Sequence, residues 1–389
     1  MGDSALFVEL GAIILGLGLL SRIAARLQIS AIPFFLLVGL AFGDGGIYPL
    51  VTTQEFIDTG AAVGVVLLLL VLGLESSGSE LVTSLRENAP AGVVDVIING
   101  LPGVAVALIL GWDAKSAVAL AGITAISSSG IVARLLDSLR GDEAVVKRIR
   151  TTTISLLVLE DLAVAIYLPI LAALLTRRSG PSGVAGPVIA VLTLLVALAL
   201  ALRFGGHLSR LLYSKNRESL LLCVLGVGLL VAGGAERLHV SAAVGAFLVG
   251  ISLSGQVVEG ARAVLTPLRD LFAAAFFVFV GLRTDPAAIP DVLVPAICLA
   301  FVGVLTKVVT GAFAARRNGL ARAEGRQIGA LLVARGEFSI VIATIGVQGG
   351  LNPRIEALTT AYVLVMGVVG SLAPRGVDLL ATKSKERGR

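Results

Sequence analysis

Apolar runs of about 17–25 residues recur along the whole of this chain, and that length is what a hydrocarbon core of about 30 Å demands of a spanning helix. Of its 389 residues, 56% are hydrophobic and only 15% are charged, with a mean hydropathy of +0.97. A soluble domain carries about 25% charged residues. Lipid offers no partner to a backbone N–H or C=O, so runs of this kind read as helices. The net charge of +5 is no nucleic-acid signal, because the basic residues sit in short loops between the runs. The opening MGDSALFVELGAIILG lacks a basic n-region and a small-residue cleavage site, and reads as a first span.

Thirteen apolar segments are predicted, over 5–22, 30–43, 56–74, 89–110, 115–137, 150–175, 183–203, 218–235, 240–253, 266–283, 289–315, 326–348 and 355–373. An odd number puts the termini on opposite sides of the bilayer. Loops on the C-terminal side hold Arg140, Lys147, Arg148, Arg150, Arg316, Arg317, Arg322, Lys383 and Lys385 among many others. Those on the other side hold only Lys115, Arg177, Arg178, Arg237, Arg283 and Arg354. Positive charge stays inside, so the expectation is a multi-pass protein of the cell membrane, N-terminus outside and C-terminus cytoplasmic.

The chain also repeats itself. Ser30-Ala31 … Leu37-Val38-Gly39 recurs as Ser241-Ala242 … Leu248-Val249-Gly250, 211 residues on. Leu72-Gly73-Leu74 is echoed by Val280-Gly281-Leu282, 208 residues on. Two matches at nearly one offset, in order, predict that residues 1–175 (spans 1–6) and 211–373 (spans 8–13) are inverted repeats. Residues 176–210 would be a linker helix and 374–389 a short basic cytoplasmic tail. Inverted repeats are a signature of secondary transporters, whose sites lie at the midplane where discontinuous helices meet. The fold class expected is therefore all-α and polytopic, with two six-helix repeats and broken helices crossing mid-membrane.

The repeat singles out spans 5 and 12 as the broken pair. Span 5 holds Thr124, Ser127, Ser128, Ser129 and Gly130 at its centre; span 12 holds Arg335, Gly336, Glu337 and Ser339. Glycine with clustered hydroxyls suits an unwound stretch, and its hydroxyls and carbonyls can replace part of a monovalent cation's hydration shell.

Intramembrane charges then need explaining. Glu160 and Asp161 stand together in LLVLEDLAVAIYLPILAALL, about ten residues into span 6 and so near mid-depth. Two acids there are costly unless they bind something positive. Successive helix residues point about 100° apart, and Asp161 is read as facing the cavity with Glu160 beside it. Lys307 in span 11 is the expected charge partner of Asp161. Arg335 and Glu337 read as a fixed ion pair in span 12, and Asp95 and Glu75 as lining a cytoplasmic mouth. There is no GxxxxGK[ST], HExxH, GxSxG or Cys/His metal spacing. An enzyme, a bound cofactor and ATP-driven transport are therefore not expected of this chain, nor is a fixed metal beyond a transported cation at Asp161.

With Gly73-Leu74-Glu75, Ser127–Gly130, Glu160-Asp161, FFVFVGL at 276–282, Lys307 and RGEFS at 335–339, the chain resembles the monovalent cation:proton antiporter superfamily, in particular its Kef-like potassium/proton branch. The resemblance extends over all thirteen spans. It implies that Asp161 is the ion-binding acid, whereas Glu160 stands where such families commonly have aspartate, glutamine or asparagine. It implies a homodimer, with a core domain moving against a dimerisation domain. The GEF motif is similar to that of the potassium-linked members. Many of these relatives carry a cytosolic nucleotide-sensing domain, for which 374–389 leaves no room, so a separate soluble regulatory subunit is expected.

The function expected is exchange of K⁺, or Na⁺, for H⁺ by competition at Asp161, without nucleic-acid partners. The alternative is a cation channel using the same broken helices, although no repeated filter motif is present. An intramembrane enzyme would need paired catalytic acids on separate spans, whereas Glu160 and Asp161 are adjacent on one.

Overall fold

The computed structural model describes residues 3–43, 45–47, 54–75, 78–140, 142–175, 203–237 and 242–387. Among these residues all regular structure is helical, and there is no strand. The first half comprises α1 (Asp3–Leu27), α2 (Ile32–Phe42), α3 (Gln54–Glu75), α4 (Gly78–Ile109), α5 (Ala114–Ala125), α6 (Ser129–Ser138) and α7 (Glu143–Leu175). After a helical stretch at 203–212, here α8, come α9 (Arg217–Arg237), α10 (Ala242–Ser252), α11 (Gln256–Arg283), α12 (Ile289–Arg317), α13 (Arg322–Leu331), α14 (Glu337–Gln348) and α15 (Arg354–Arg387). The predicted seventh span and most of the linker, 176–202, lie outside the described residues.

Among the described residues, seven segments are long and apolar enough to cross a bilayer: 88–109, 114–137, 143–172, 217–237, 256–283, 286–317 and 354–377. Several helices overrun the predicted spans. α7 begins at Glu143 and α11 at Gln256, and α15 continues through the predicted tail to Arg387. Hydropathy stops at the edge of the apolar run, but a helix continues wherever its residues still favour it.

The helices gather into two groups. α2, α3, α9, α10 and α11 pack on one another, while α4, α5, α7 and α12–α15 form a second body. Glycines set the tightest contacts of the first group. A Cβ on Gly73 would stand 2.8 Å from the Cα of Gly250, and one on Gly39 would stand 2.6 Å from the Cα of Gly281. Only a residue without a side chain lets backbones approach that closely. These four glycines belong to the recurring fragments of the sequence. α3 therefore crosses α10, and α2 crosses α11, at matching positions.

In the second body, Asp113 caps the start of α5, its carboxylate accepting from the Ser116 amide at 2.9 Å. The bonds from Ser116 hold that carboxyl below its ordinary range. α4 and α12 lie side by side and carry the polar residues that reach the site.

Candidate ion site at the helix crossing

Spans 5 and 12 are each interrupted. α5 stops at Ala125, Ile126 is extended, and the Ser128 hydroxyl caps α6 by accepting from the Ile131 amide. α13 stops at Leu331, and α14 restarts at Glu337 after Gly336. The two breaks touch. The Ser128 amide donates to the Ala334 carbonyl at 2.9 Å, and a Cβ on Gly336 would meet the Ser128 side chain at 2.7 Å. Glycine at 336 permits the crossing.

Four half-helix ends converge here, and each is matched by charge or by a hydroxyl. Arg335 is fully buried. Its Nε and Nη2 donate to the Thr124 carbonyl at 3.2 and 3.0 Å, at the end of α5. Its Nη1 reaches the carbonyls of Leu332 (2.9 Å), Val333 (3.0 Å) and Ala334 (3.4 Å), at the end of α13. A cation at two helix C-termini opposes both dipoles. Glu337 stands in the first turn of α14 and accepts from the Ser128 hydroxyl at 2.8 Å. Ser339 donates to the Ile123 carbonyl at 2.8 Å, Thr124 turns its hydroxyl back on Leu120 at 3.0 Å, and Ser129 opens α6.

Arg335 and Glu337 are thus not the fixed pair expected from their spacing. Each answers the nearest unsatisfied helix end, where its charge acts on several dipoles at once. Nor are the peptide oxygens waiting for a cation. The Thr124, Leu332 and Ala334 carbonyls each accept two donors from Arg335, Ser127 or Ser128.

The buried charges meet beside this crossing. Lys307, on α12, is fully buried and donates at 2.9 Å to both carboxylate oxygens of Asp95 and to Glu160 Oε1. Asp95 (α4) and Glu160 (α7) are themselves fully buried. Glu160 Oε2 accepts from the Ser127 amide; the Ser127 hydroxyl lies 3.0 Å from Glu160 Oε1 and 2.8 Å from the Leu332 carbonyl. On the other side, Asn99 Nδ2 donates to Asp95 Oδ1 at 2.8 Å, and the Thr306 hydroxyl donates to Asn99 Oδ1 at 2.8 Å. Stripping an ion of water costs several kcal/mol, offset only when partners are close and well aimed. Here each charge has such partners.

The expected pairing of Lys307 with Asp161 is replaced by pairing with Glu160 and Asp95. Along α7 the two acids diverge: Glu160 turns into the dry contact with α12, while Asp161 is half-buried. Asp95 does not line a mouth, and its burial removes it from water altogether. The sequence carried a signal for it, since Asp95 and Lys307 are 212 residues apart, within one residue of the repeat offset. Asn99, one turn on along the same face of α4, completes the pattern.

This geometry can hold two carboxylates of different character close together. One accepts from the Lys307 ammonium and from the Ser127 amide. The other, Asp161, is half-buried on the adjacent direction of the same helix.

Comparison with known proteins agrees with the architecture. Residues 11–374 match the family model described as sodium/hydrogen exchanger, transmembrane. The K⁺/H⁺ antiporter subunit KhtU of Bacillus subtilis is 30% identical over 390 residues, covering 95% of this chain and 93% of that protein. The ammonium/H⁺ antiporter subunit AmhT of Alkalihalophilus pseudofirmus is 27% identical, covering 96% and 93%. The structure of the sodium proton antiporter MjNhaP1 from Methanocaldococcus jannaschii superposes with a TM-score of 0.70 at 16% identity, over 95% of this chain and 97% of that one. The chain belongs to the sodium/hydrogen exchanger family, a family of membrane-spanning transporters, on the Kef-like branch of the monovalent cation:proton antiporters.

Proposed function

We propose that this chain is a secondary antiporter that exchanges K⁺, with Na⁺ as the lesser alternative, for protons by competition at Asp161 and Glu160. The observation that carries this reading is the divided environment of the acid pair. Glu160 is fully buried against Lys307 and Ser127, while its neighbour Asp161 is half-buried beside the same crossing. A carboxylate binds a cation only when deprotonated. Protonation on one side of the membrane therefore releases the ion, and deprotonation on the other reloads the site. Lys307 neutralises part of the charge, so that loading and unloading involve one ion at a time.

Thirteen spans in two inverted repeats, with the C-terminus cytoplasmic, suit this cycle, since the two faces of the site become equivalent. The crossings of α3 with α10 and of α2 with α11 at corresponding glycines support that repeat. The preference for K⁺ is supported by the name of KhtU and by the GEF motif at 336–338. Both KhtU and AmhT are named as antiporter subunits, which supports a homodimeric exchanger working with a separate soluble regulatory subunit. A channel is disfavoured because a filter needs peptide oxygens facing the ion, and those of Thr124, Leu332 and Ala334 accept from the protein's own donors.

The test is Asp161→Asn in proteoliposomes. It removes cation-dependent proton movement while the protein stays folded and inserted; exchange at the wild-type rate would refute the assignment.

A further inference from the structure

Lys307 has three ammonium protons, and the structure accounts for all of them: two on Asp95 and one on Glu160, each at 2.9 Å. Asp95 is therefore the principal partner of the lysine and Glu160 the minor one. Asp95 is also the better anchored. It lies on α4, is fully buried, and takes a further bond from Asn99, whose own orientation is fixed by Thr306 of α12. α4 and α12 are thus tied through Thr306, Asn99, Asp95 and Lys307, while Glu160 joins from α7 through a single ammonium contact.

We infer that Asp95 is a positioning residue for ion exchange: it holds two-thirds of the Lys307 ammonium's hydrogen-bonding capacity, so that Glu160 receives one of the three ammonium protons and a transported cation competes with that single contact. This rests on the antiporter reading proposed above. One ammonium facing one carboxylate in a dry contact forms a tight pair, and charge-assisted bonds are roughly twice as strong as neutral ones. Without Asp95 the whole of Lys307's charge falls on Glu160, and an incoming K⁺ has to displace a committed ammonium instead of a shared one. With Asp95 in place, the Asp95–Lys307 pair is close to neutral by itself, and the charge beside the crossing belongs to Glu160 and Asp161. Asn99 serves the same end by keeping Asp95 turned toward α12.

The experiment measures initial proton flux against K⁺ concentration, with Na⁺ in parallel, in proteoliposomes of the purified full chain. Four proteins are compared: wild type, Asp95→Asn, Asn99→Leu, and Asp95→Asn combined with Lys307→Gln. Asp95→Asn is expected to raise the KM for the cation about tenfold or more, the scale of one buried charged hydrogen bond, with a much smaller change in maximal rate. Removing the ammonium as well takes away the competitor, so the double variant recovers much of the wild-type KM. Asn99→Leu changes no charge and raises KM in the same direction by a smaller factor, which keeps the test open if Asp95→Asn yields little folded protein. Wild-type KM in both single variants would overturn the inference. So would a double variant no better than Asp95→Asn, because a purely structural Asp95 gains nothing from losing Lys307. Wild-type protein that moves no protons with either cation would instead bring down the antiporter reading, and this inference with it.

Discussion

Glu160 and Asp161 are neighbours in sequence and strangers in environment. One turn angle of the helix separates a carboxylate held by Lys307 and the Ser127 amide from one left half-buried. If both carry protons through the cycle, one monovalent ion moves against more than one proton, and transport carries net charge. Glu160→Gln then weakens the response of exchange to an imposed membrane potential, measured as the change in rate after a valinomycin-clamped voltage step. Wild-type exchange indifferent to voltage would assign Glu160 a structural role. The sequence singled out Glu160 and Lys307, both fully buried, because charges in an apolar run have no background to hide in. It did not reveal which acid the lysine meets. That depends on the rotation of α7 against α12, a packing outcome that hydropathy does not encode. Asp95 was misplaced for a similar reason: six residues from a predicted span edge looks shallow, whereas α4 begins eleven residues earlier than that edge, at Gly78, and carries Asp95 into the interior.

At the scale of helices, the breaks in spans 5 and 12 were legible because Ser127–Gly130 and Arg335–Gly336 make poor helix interiors. The partners of those breaks were not, since Arg335 could equally have sought Glu337. The structure gives the guanidinium to four carbonyls on two helix ends, a geometry that only a planar fork with several donors can serve. Packing of the first body rests on a different device. α3 and α10 touch through Gly73 and Gly250, where any β-carbon would strike backbone and not a flexible side-chain end. Gly73→Val therefore forces the helices apart, lowering the yield of monodisperse protein in detergent and its melting temperature by several degrees, the effect of roughly 1–3 kcal/mol of overpacking. Gly226 on α9 has open space around its Cα, and Gly226→Val is the matching control. Equal stability of the two variants would contradict the close crossing.

At the largest scale, the described helices gather into two bodies, and the repeated fragments hold the glycines at which helices of the first body cross, although the repeat by itself predicts no such crossing. Local pattern carries the elements; the grouping comes from where small residues let helices meet. The proposed soluble regulator belongs to this scale as well. Arg140 before α7, Lys147 near its start, Arg316 and Arg317 at the end of α12 and Arg322 at the start of α13 are exposed, and Arg148 ties α7 to α13 by pairing with Glu324 at 3.1 Å. A partner with an acidic face would bear on the half-helices of the crossing. Gentle purification of the tagged chain from its native membrane will bring down a soluble protein whose addition changes exchange by the purified antiporter. Full activity of the chain alone, unaltered by native cytosol, would dismiss the partner.

The saturation of the peptide oxygens at the crossing has a bearing on ancestry. Where a backbone cage coordinates an ion, a change of ion demands a change of backbone. In this chain the oxygens of Thr124, Leu332 and Ala334 are committed to Arg335, Ser127 and Ser128, so they constrain how the protein folds; under the proposed mechanism the choice of ion then falls to the carboxylates. Potassium, ammonium and sodium all figure in the names of the relatives described above. On the proposed mechanism, a lineage built on such a crossing would change its cargo by exchanging side chains around positions 160 and 161 and keep the chain's path through the membrane.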